Sequence, residues 1–292
     1  MRSDPADFEL VAPGTLSAAL SLLAEQPGRW LPIAGGTDLM VQYAGGKLGG
    51  SRLVSLWNLP ELRRIDVSKE EVGVGAGCTY TDLREHEVIA REFPLLASAA
   101  RWTGGVANQN RGTLGGNIVN ASPAADSLPA LLVYEAELIL VSARGERRVK
   151  YLDFHTGYKK TVLAADELIR TVCLARRFTG YISYSRKVGA RNAQAISKVC
   201  VAALARLESG VVEDVRIAAG SVAPMPVRLR NTELVLKGQV IDAALVRRAH
   251  ESATAEVRPI DDIRSTAAYR SAVLGNLVEE FLNELSKDEH GA

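Results

Sequence analysis

Two stretches of this sequence gather the residue types that hold a phosphorylated ligand. The first is Ala34-Gly35-Gly36-Thr37-Asp38-Leu39, placed between the short apolar run at residues 30–33 and a second apolar stretch at 39–43. Glycines let backbone N–H groups turn toward a ligand and let phosphate oxygens come close, and the start of a following helix favours negative charge. The pattern is neither GxGxxG nor the GxxxxGK loop, so the two best-known phosphate cradles are excluded. Taken alone, Gly-Gly after a strand is also the pattern of a plain turn. The second stretch is Asn110-Arg111-Gly112-Thr113-Leu114-Gly115-Gly116-Asn117, continuing through Ile118-Val119-Asn120-Ala121-Ser122-Pro123-Ala124-Ala125-Asp126. Its small residues allow close backbone approach to a flat or charged ligand. Its Asn and Thr side chains offer neutral hydrogen bonds suited to sugar-alcohol hydroxyls or phosphate. An ordered surface loop is the other reading of these residues.

Other chemistry is sparse. The four histidines, His86, His155, His250 and His290, are scattered, with no Ser-His-Asp arrangement and no HExxH. His155 is expected to order a loop. Cys78, Cys173 and Cys200 form no CxxC pair and cannot alone supply the ligands of an iron–sulfur cluster. They are expected to be buried thiols in a reducing, cytoplasmic compartment. No catalytic and no metal-binding residue is assigned. Neither glycine stretch contains His or Cys, so a covalent link to a bound cofactor is not expected.

The elements around these stretches read as follows. Residues 15–25 have helical spacing, 30–33 form a strand, 39–43 a helix and 53–56 a strand, the order of a parallel α/β unit. Val72 and Val74 mark a strand. Residues 83–100 read as a helix broken at Pro94, 104–120 as a loop, and Ser122-Pro123 as a helix start. Strands are expected at 137–141 and 147–151, joined across Arg144-Gly145, and at 167–174. From about residue 178 the pattern changes to antiparallel strands at 182–188, 198–207 and 211–219, with Glu208-Ser209-Gly210 as a tight turn. Helices at 243–253 and 265–285 follow, then a polar tail.

Length and composition set outer bounds. The 292 residues fit about two domains. Hydrophobic residues at 47% and charged residues at 24% are the balance of an ordinary globular protein. A net charge of +1 gives no strong field for nucleic acid or a membrane surface. Arg144, Arg147, Arg148 and Lys150, the most basic stretch, read as a solvated hairpin. No window approaches the roughly 18 apolar residues of a membrane span, and the N-terminus is too polar and acidic for a secretory signal.

Together the two glycine stretches resemble the FAD-binding domain of the molybdenum hydroxylase flavoprotein family. That family includes the flavin domain of xanthine dehydrogenase and the medium subunit of carbon monoxide dehydrogenase. Further matching segments are Phe154-His155-Thr156-Gly157-Tyr158-Lys159-Lys160-Thr161, Asp166-Glu167-Leu168-Ile169 and Ile196-Ser197-Lys198-Val199. The resemblance runs in order over essentially the whole chain. It implies an α+β fold: a two-lobed FAD-binding domain of the vanillyl-alcohol-oxidase (PCMH) type at 1–177, with lobes at about 1–59 and 60–177. A CO dehydrogenase flavoprotein-like domain of antiparallel sheet and helices would follow at 178–288.

The resemblance also implies residue roles. Leu31, Pro32 and Ile33 would lead into Ala34, Gly35, Gly36, Thr37 and Asp38 at the pyrophosphate. Thr113, Gly116 and Asn117 would lie near the phosphates and ribityl chain. Asp126 would bind the polar tail of FAD or the ribityl hydroxyls, Ile169 would pack on the isoalloxazine, and Lys187 would lie near the flavin pyrimidine edge. Noncovalent FAD would then relay electrons from a [2Fe–2S] small subunit and a molybdopterin-binding large subunit to NAD⁺ or another acceptor, in a dimer of heterotrimers. The segment between Lys187 and Lys198 keeps Arg191 but lacks the carboxylates of the xanthine dehydrogenase switch loop, which leaves the acceptor open. Cysteine content argues against an additional [4Fe–4S] cluster. Two other readings remain at this point: a stand-alone flavin reductase or oxidase of the same fold, and a non-redox nucleotide-binding module.

Overall fold

Thr15 starts the first helix by accepting the Ala18 N–H at 3.2 Å, the usual use of a threonine hydroxyl at an N-cap. The computed structural model of the chain describes residues 8–48, 52–191 and 194–288. The first unit runs β1 (Glu9–Val11), α1 (Leu16–Glu25), β2 (Trp30–Ile33), α2 (Leu39–Ala44) and β3 (Arg52–Ser55). Its sheet is parallel throughout, in the order β1-β3-β2, which is the expected α/β unit with one additional strand. Ala19, Leu23, Trp30 and Val54 form its core together with Leu59, Leu62, Val141 and Leu168 from later segments.

The second unit contains β4 (Ile65–Val67), β5 (Glu71–Gly75), α3 (Tyr80–Glu85), α4 (Glu87–Glu92), α5 (Pro94–Trp102), α6 (Val106–Gln109), α7 (Leu114–Asn120), α8 (Leu128–Val133), β6 (Glu137–Ser142), β7 (Gly145–Lys150), β8 (His155–Gly157), β9 (Lys160–Thr161) and β10 (Leu168–Ala175). An antiparallel sheet in the order β4-β5-β10-β6-β7 carries it. The expected helix at 83–100 breaks at Pro94 and also at His86, so three short helices replace one. Thr79 and Asp82 cap the first of these reciprocally.

Two expectations fail here. Residues 104–120 are not a plain loop, since they hold α6 and α7. Gly115 and Gly116 hide the second helix, because each glycine costs about 1 kcal/mol of helix propensity. Tertiary packing overrides that cost: a Cβ on Gly115 would lie 2.6 Å from the Ala76 Cβ, so only glycine lets α7 seat here. Ser122-Pro123 does not start a helix either. Ala121 ends α7 with φ 48, and Ser122 instead accepts the Ala124 N–H in a turn. The next helix begins at Leu128.

The third unit is β11 (Ile182–Val188), β12 (Val199–Glu208), β13 (Val211–Gly220), β14 (Val227–Arg228), α9 (Arg230–Leu236), α10 (Ala243–Glu256) and α11 (Ala267–Asp288). Its antiparallel sheet follows chain order. The turn between β12 and β13 places Ser209 and Gly210 at φ 50 and 78, matching the right-handed twist of the hairpin. Strand β12 is apolar on both faces for a reason. Val201, Ala203 and Ala205 join the core under the C-terminal helices, whereas Ala202 and Leu204 join the core of the second unit. The sheet is thus sandwiched between two layers.

The basic hairpin β6–β7 is ion-paired as well as solvated. Arg144 meets Asp166, Arg147 meets Glu167, and Arg148 meets Glu71 and Glu137. All three cysteines are buried free thiols, and burial pushes the Cys78 thiol up to about 12. Among the described residues no cluster of His, Cys, Asp or Glu could hold a metal ion, and no helix is long and apolar enough to cross a membrane.

Candidate functional site

The two glycine segments, far apart in sequence, touch. Gly35 follows the C-terminal end of β2, and a Cβ there would lie 1.6 Å from the Arg111 carbonyl oxygen and 2.4 Å from its carbon. Glycine at this position is therefore required by backbone contact. Gly36 takes φ 75, a conformation open to glycine at little cost. The N–H groups of Gly35, Gly36 and Thr37 donate to no group among the described residues. The first donor used downstream is Met40, bonded to the Gly36 carbonyl at 2.9 Å. Three adjacent uncommitted donors at the C-terminal end of a parallel strand form a cradle for an anion. Leu31, Pro32 and Ile33 lead into it half-buried in β2.

The second segment is built differently. Thr113, 4% exposed, caps α7 by accepting the Gly116 N–H at 3.1 Å. The N–H groups of Leu114, Gly115 and Asn117 are taken by Cys78, Ala76 and Thr113 carbonyls. What remains for a ligand is side chains and the exposed Gly116. Asn117 Oδ1 accepts the Ser127 hydroxyl at 2.6 Å, leaving its amide N–H pair without a partner among the described residues. Asn120 donates to Asp38 at 3.4 Å and accepts from Lys159 at 3.4 Å, so a polar chain joins the first loop, α7 and the β8–β9 hairpin. His155 orders the same region, its Nε2 lying 2.9 Å from the Ile118 carbonyl. Burial holds its pKa below the usual imidazole value, so the neutral ring donates there through Nε2–H.

Asp126 and Lys187, expected as two separate cofactor contacts, bond to each other. Lys187 Nζ donates to Asp126 at 2.6 Å and to the Trp102 carbonyl at 2.9 Å, while the Ser197 hydroxyl donates to the other Asp126 oxygen. The two side chains are 7% and 12% exposed. Burial raises the Asp126 pKa above the ordinary carboxylate value, and Lys187 and Ser197 oppose that shift without cancelling it. The pair ties the second unit to β11 of the third. Ile169 lies in β10, 4% exposed and packed in the core of the second unit, beside an irregularity in strand pairing between Ile169 and Thr171. In the segment that carries Arg191, Gln194 packs against Gly105, where a Cβ would meet its amide nitrogen at 2.8 Å.

Ser197, Ser127 and Asn120 entered the site only through the structure, although all three lie within or beside the motif segments. Trp57 and Arg111 also carry no role in the sequence reading. The Arg111 guanidinium lies 3.8 Å from the Trp57 ring centroid, and that of Arg63 lies 4.5 Å from it. Arg111 lies inside the second glycine segment, where its charge is the signal that sequence offers.

Family comparison matches residues 6–175 to the FAD binding domain in molybdopterin dehydrogenase and residues 184–285 to the CO dehydrogenase flavoprotein C-terminal domain. The chain is 31% identical over 272 residues to the xanthine dehydrogenase FAD-binding subunit of Escherichia coli O157:H7, covering 92% of this chain and 93% of that one. It is 30% identical over 284 residues to the carbon monoxide dehydrogenase medium chain of Hydrogenophaga pseudoflava, covering 96% and 97%. Among solved structures, carbon monoxide dehydrogenase from Hydrogenophaga pseudoflava, in a form lacking the Mo-pyranopterin moiety of its cofactor, superposes with a TM-score of 0.90 at 28% identity, over 94% of this chain and 95% of that one.

Proposed function

Since the chain belongs to the family of FAD-binding subunits of molybdopterin dehydrogenases, we propose that it holds FAD noncovalently and relays electrons within such an oxidoreductase complex. The observation that carries the reading is the row of uncommitted N–H groups at Gly35, Gly36 and Thr37, set against the Arg111 segment. These residues fit FAD. Donors in a row suit a diphosphate, and the free amide of Asn117 suits a phosphate or ribityl oxygen. Bound FAD supplies a redox centre that takes up and releases electrons. The chain's own residues bind and orient it. Asp126 and Lys187 close the junction between the FAD-binding domain, proposed to span 1–177, and the C-terminal domain, proposed to span 178–288. Ile169 supports the flavin from the core side, and Thr113 holds the loop that presents Gly116 and Asn117.

Electrons would arrive from [2Fe–2S] centres on a small partner subunit, fed by a molybdopterin-binding large subunit, and leave to NAD⁺ or another acceptor. A dimer of heterotrimers in the cytoplasm is the proposed assembly. The relatives named as a FAD-binding subunit and a medium chain support a multi-subunit assembly. Noncovalent attachment is tested by acid precipitation, which should release all flavin to the supernatant; yellow colour kept by the pellet would refute it. The isolated chain should not turn over aldehydes or N-heterocycles, and turnover would overturn the relay assignment.

The Gly116 face gives a sharper test. An added Cβ there meets only Thr113 Oγ1, at 2.9 Å, so Gly116→Val should leave the third unit, with its own core, folded. The branched side chain would cover the exposed face offered to the ligand. FAD titrated calorimetrically into the apoprotein should show no measurable binding, with the circular dichroism of the fold retained. Unchanged affinity would remove Gly116 from the site.

A further inference from the structure

We propose that Arg111 is a cationic ligand for the diphosphate of the bound cofactor, held in place by Trp57; the inference rests on the FAD reading above. Two guanidinium groups, those of Arg111 and Arg63, lie 3.8 and 4.5 Å from the Trp57 ring centroid. The two arginines differ in one respect that matters. Arg63 has a carboxylate partner, Asp82, at 3.5 Å, whereas Arg111 forms no ion pair with any described residue. A guanidinium is thus immobilised by stacking and left without a counter-charge. Stacking occupies its face, but its N–H donors lie in its plane and remain available.

Placement supplies the ligand. Trp57 lies two residues beyond β3, the central strand of the parallel sheet, and Leu56 N bonds the Ile33 carbonyl at 2.8 Å at the end of β2. Gly35 and Gly36 extend that same strand end, and the Arg111 backbone presses on Gly35. Ligands of parallel sheets sit beyond the C-terminal strand ends. A diphosphate there meets three N–H donors and one planar fork matched to phosphate oxygens. Among the described residues the Asp38 carboxylate on this loop is met by the neutral Gln42 and Asn120 amides. The stack that fixes the fork restricts its rotamers before binding, which lowers the ordering cost.

The test is calorimetric titration of apoprotein with FAD at low and high ionic strength, using wild type, Arg111→Met, Arg111→Lys and Trp57→Leu, each checked for wild-type circular dichroism. Arg111→Met should weaken FAD binding about ten- to hundredfold, the worth of one or two charge-assisted hydrogen bonds. Its affinity should respond less to salt than that of wild type. Arg111→Lys should restore the salt response with part of the affinity, and Trp57→Leu should lose less than Arg111→Met. Wild-type affinity in Arg111→Met, or the same salt response in Arg111→Met as in wild type, overturns the proposal. A wild-type apoprotein that takes up no FAD at any salt concentration overturns the flavin reading itself, and with it this inference.

Discussion

Gly35→Ala should abolish FAD binding, with a loss of at least about a hundredfold in affinity, and should lower thermal stability as well. The added Cβ would sit 1.6 Å from the Arg111 carbonyl oxygen, against a contact distance of about 3.5 Å. The obstacle is backbone, so no rotamer change relieves it and the two loops must move apart. Overpacking of this kind costs about 1–3 kcal/mol of stability. The cost to binding is larger, because separation breaks the arrangement in which the first loop's donors and the second segment face one ligand. Gly14→Ala is the control. Nothing lies within 4 Å of a Cβ at Gly14, and both melting temperature and FAD affinity should stay at wild-type values. FAD affinity unchanged in Gly35→Ala would mean that the contact between the loops does not shape the site.

Lys187→Met should have the largest effect on stability, and that effect should depend on pH. Removing one member of a buried ion pair costs about 3–5 kcal/mol when the other is left charged, and Asp126 and Lys187 are both largely buried. Burial already places the folded pKa of Asp126 above its unfolded value. Between those two values the folded protein keeps a proton that the unfolded chain has released, so stability from this group is present at low pH and falls as pH rises through the window. Without Lys187 the folded value moves higher still and the window widens upward. Below that window Asp126 is protonated in wild type as well, so the attraction that the substitution removes is already lost there. The stability gap between wild type and Lys187→Met in urea denaturation should therefore be smallest near the unfolded carboxylate pKa of about 3.9 and grow toward neutral pH. The double variant Asp126→Asn/Lys187→Met should recover part of the loss, since no unpaired buried charge remains. A gap of under about 0.5 kcal/mol that does not change with pH would place the pair among solvated ion pairs and remove it as the fastening between the two domains.

Much of this fold could be read from pattern alone, and the failures share one cause. The parallel unit, the β6–β7 hairpin, the Ser209-Gly210 turn and the α10 and α11 helices each carry their own periodicity or turn residues, and each formed within a few residues of expectation. Helix α7 was missed because Gly115 answers to Ala76, a residue far away in sequence. Ser122-Pro123 misled because a local capping signal lost to the left-handed Ala121 that precedes it. In the site, the glycine motifs were legible because close backbone approach restricts residue type. The pairing of Asp126 with Lys187 was not, since each is an ordinary charged residue until the fold brings them to 2.6 Å. Trp57 was invisible for the same reason: nothing in its neighbourhood along the chain announces two guanidinium partners.

The central claim is that this chain is the flavin-carrying member of a molybdenum- and iron-containing complex. It is tested most directly by purifying the chain with whatever copurifies and measuring flavin, iron and molybdenum in the assembly and in the separated chain. The account predicts acid-extractable FAD equimolar with this chain, iron and molybdenum in the assembly, and neither metal on the chain once separated. An assembly without FAD, or a FAD-loaded chain that is never accompanied by iron and molybdenum, would contradict it.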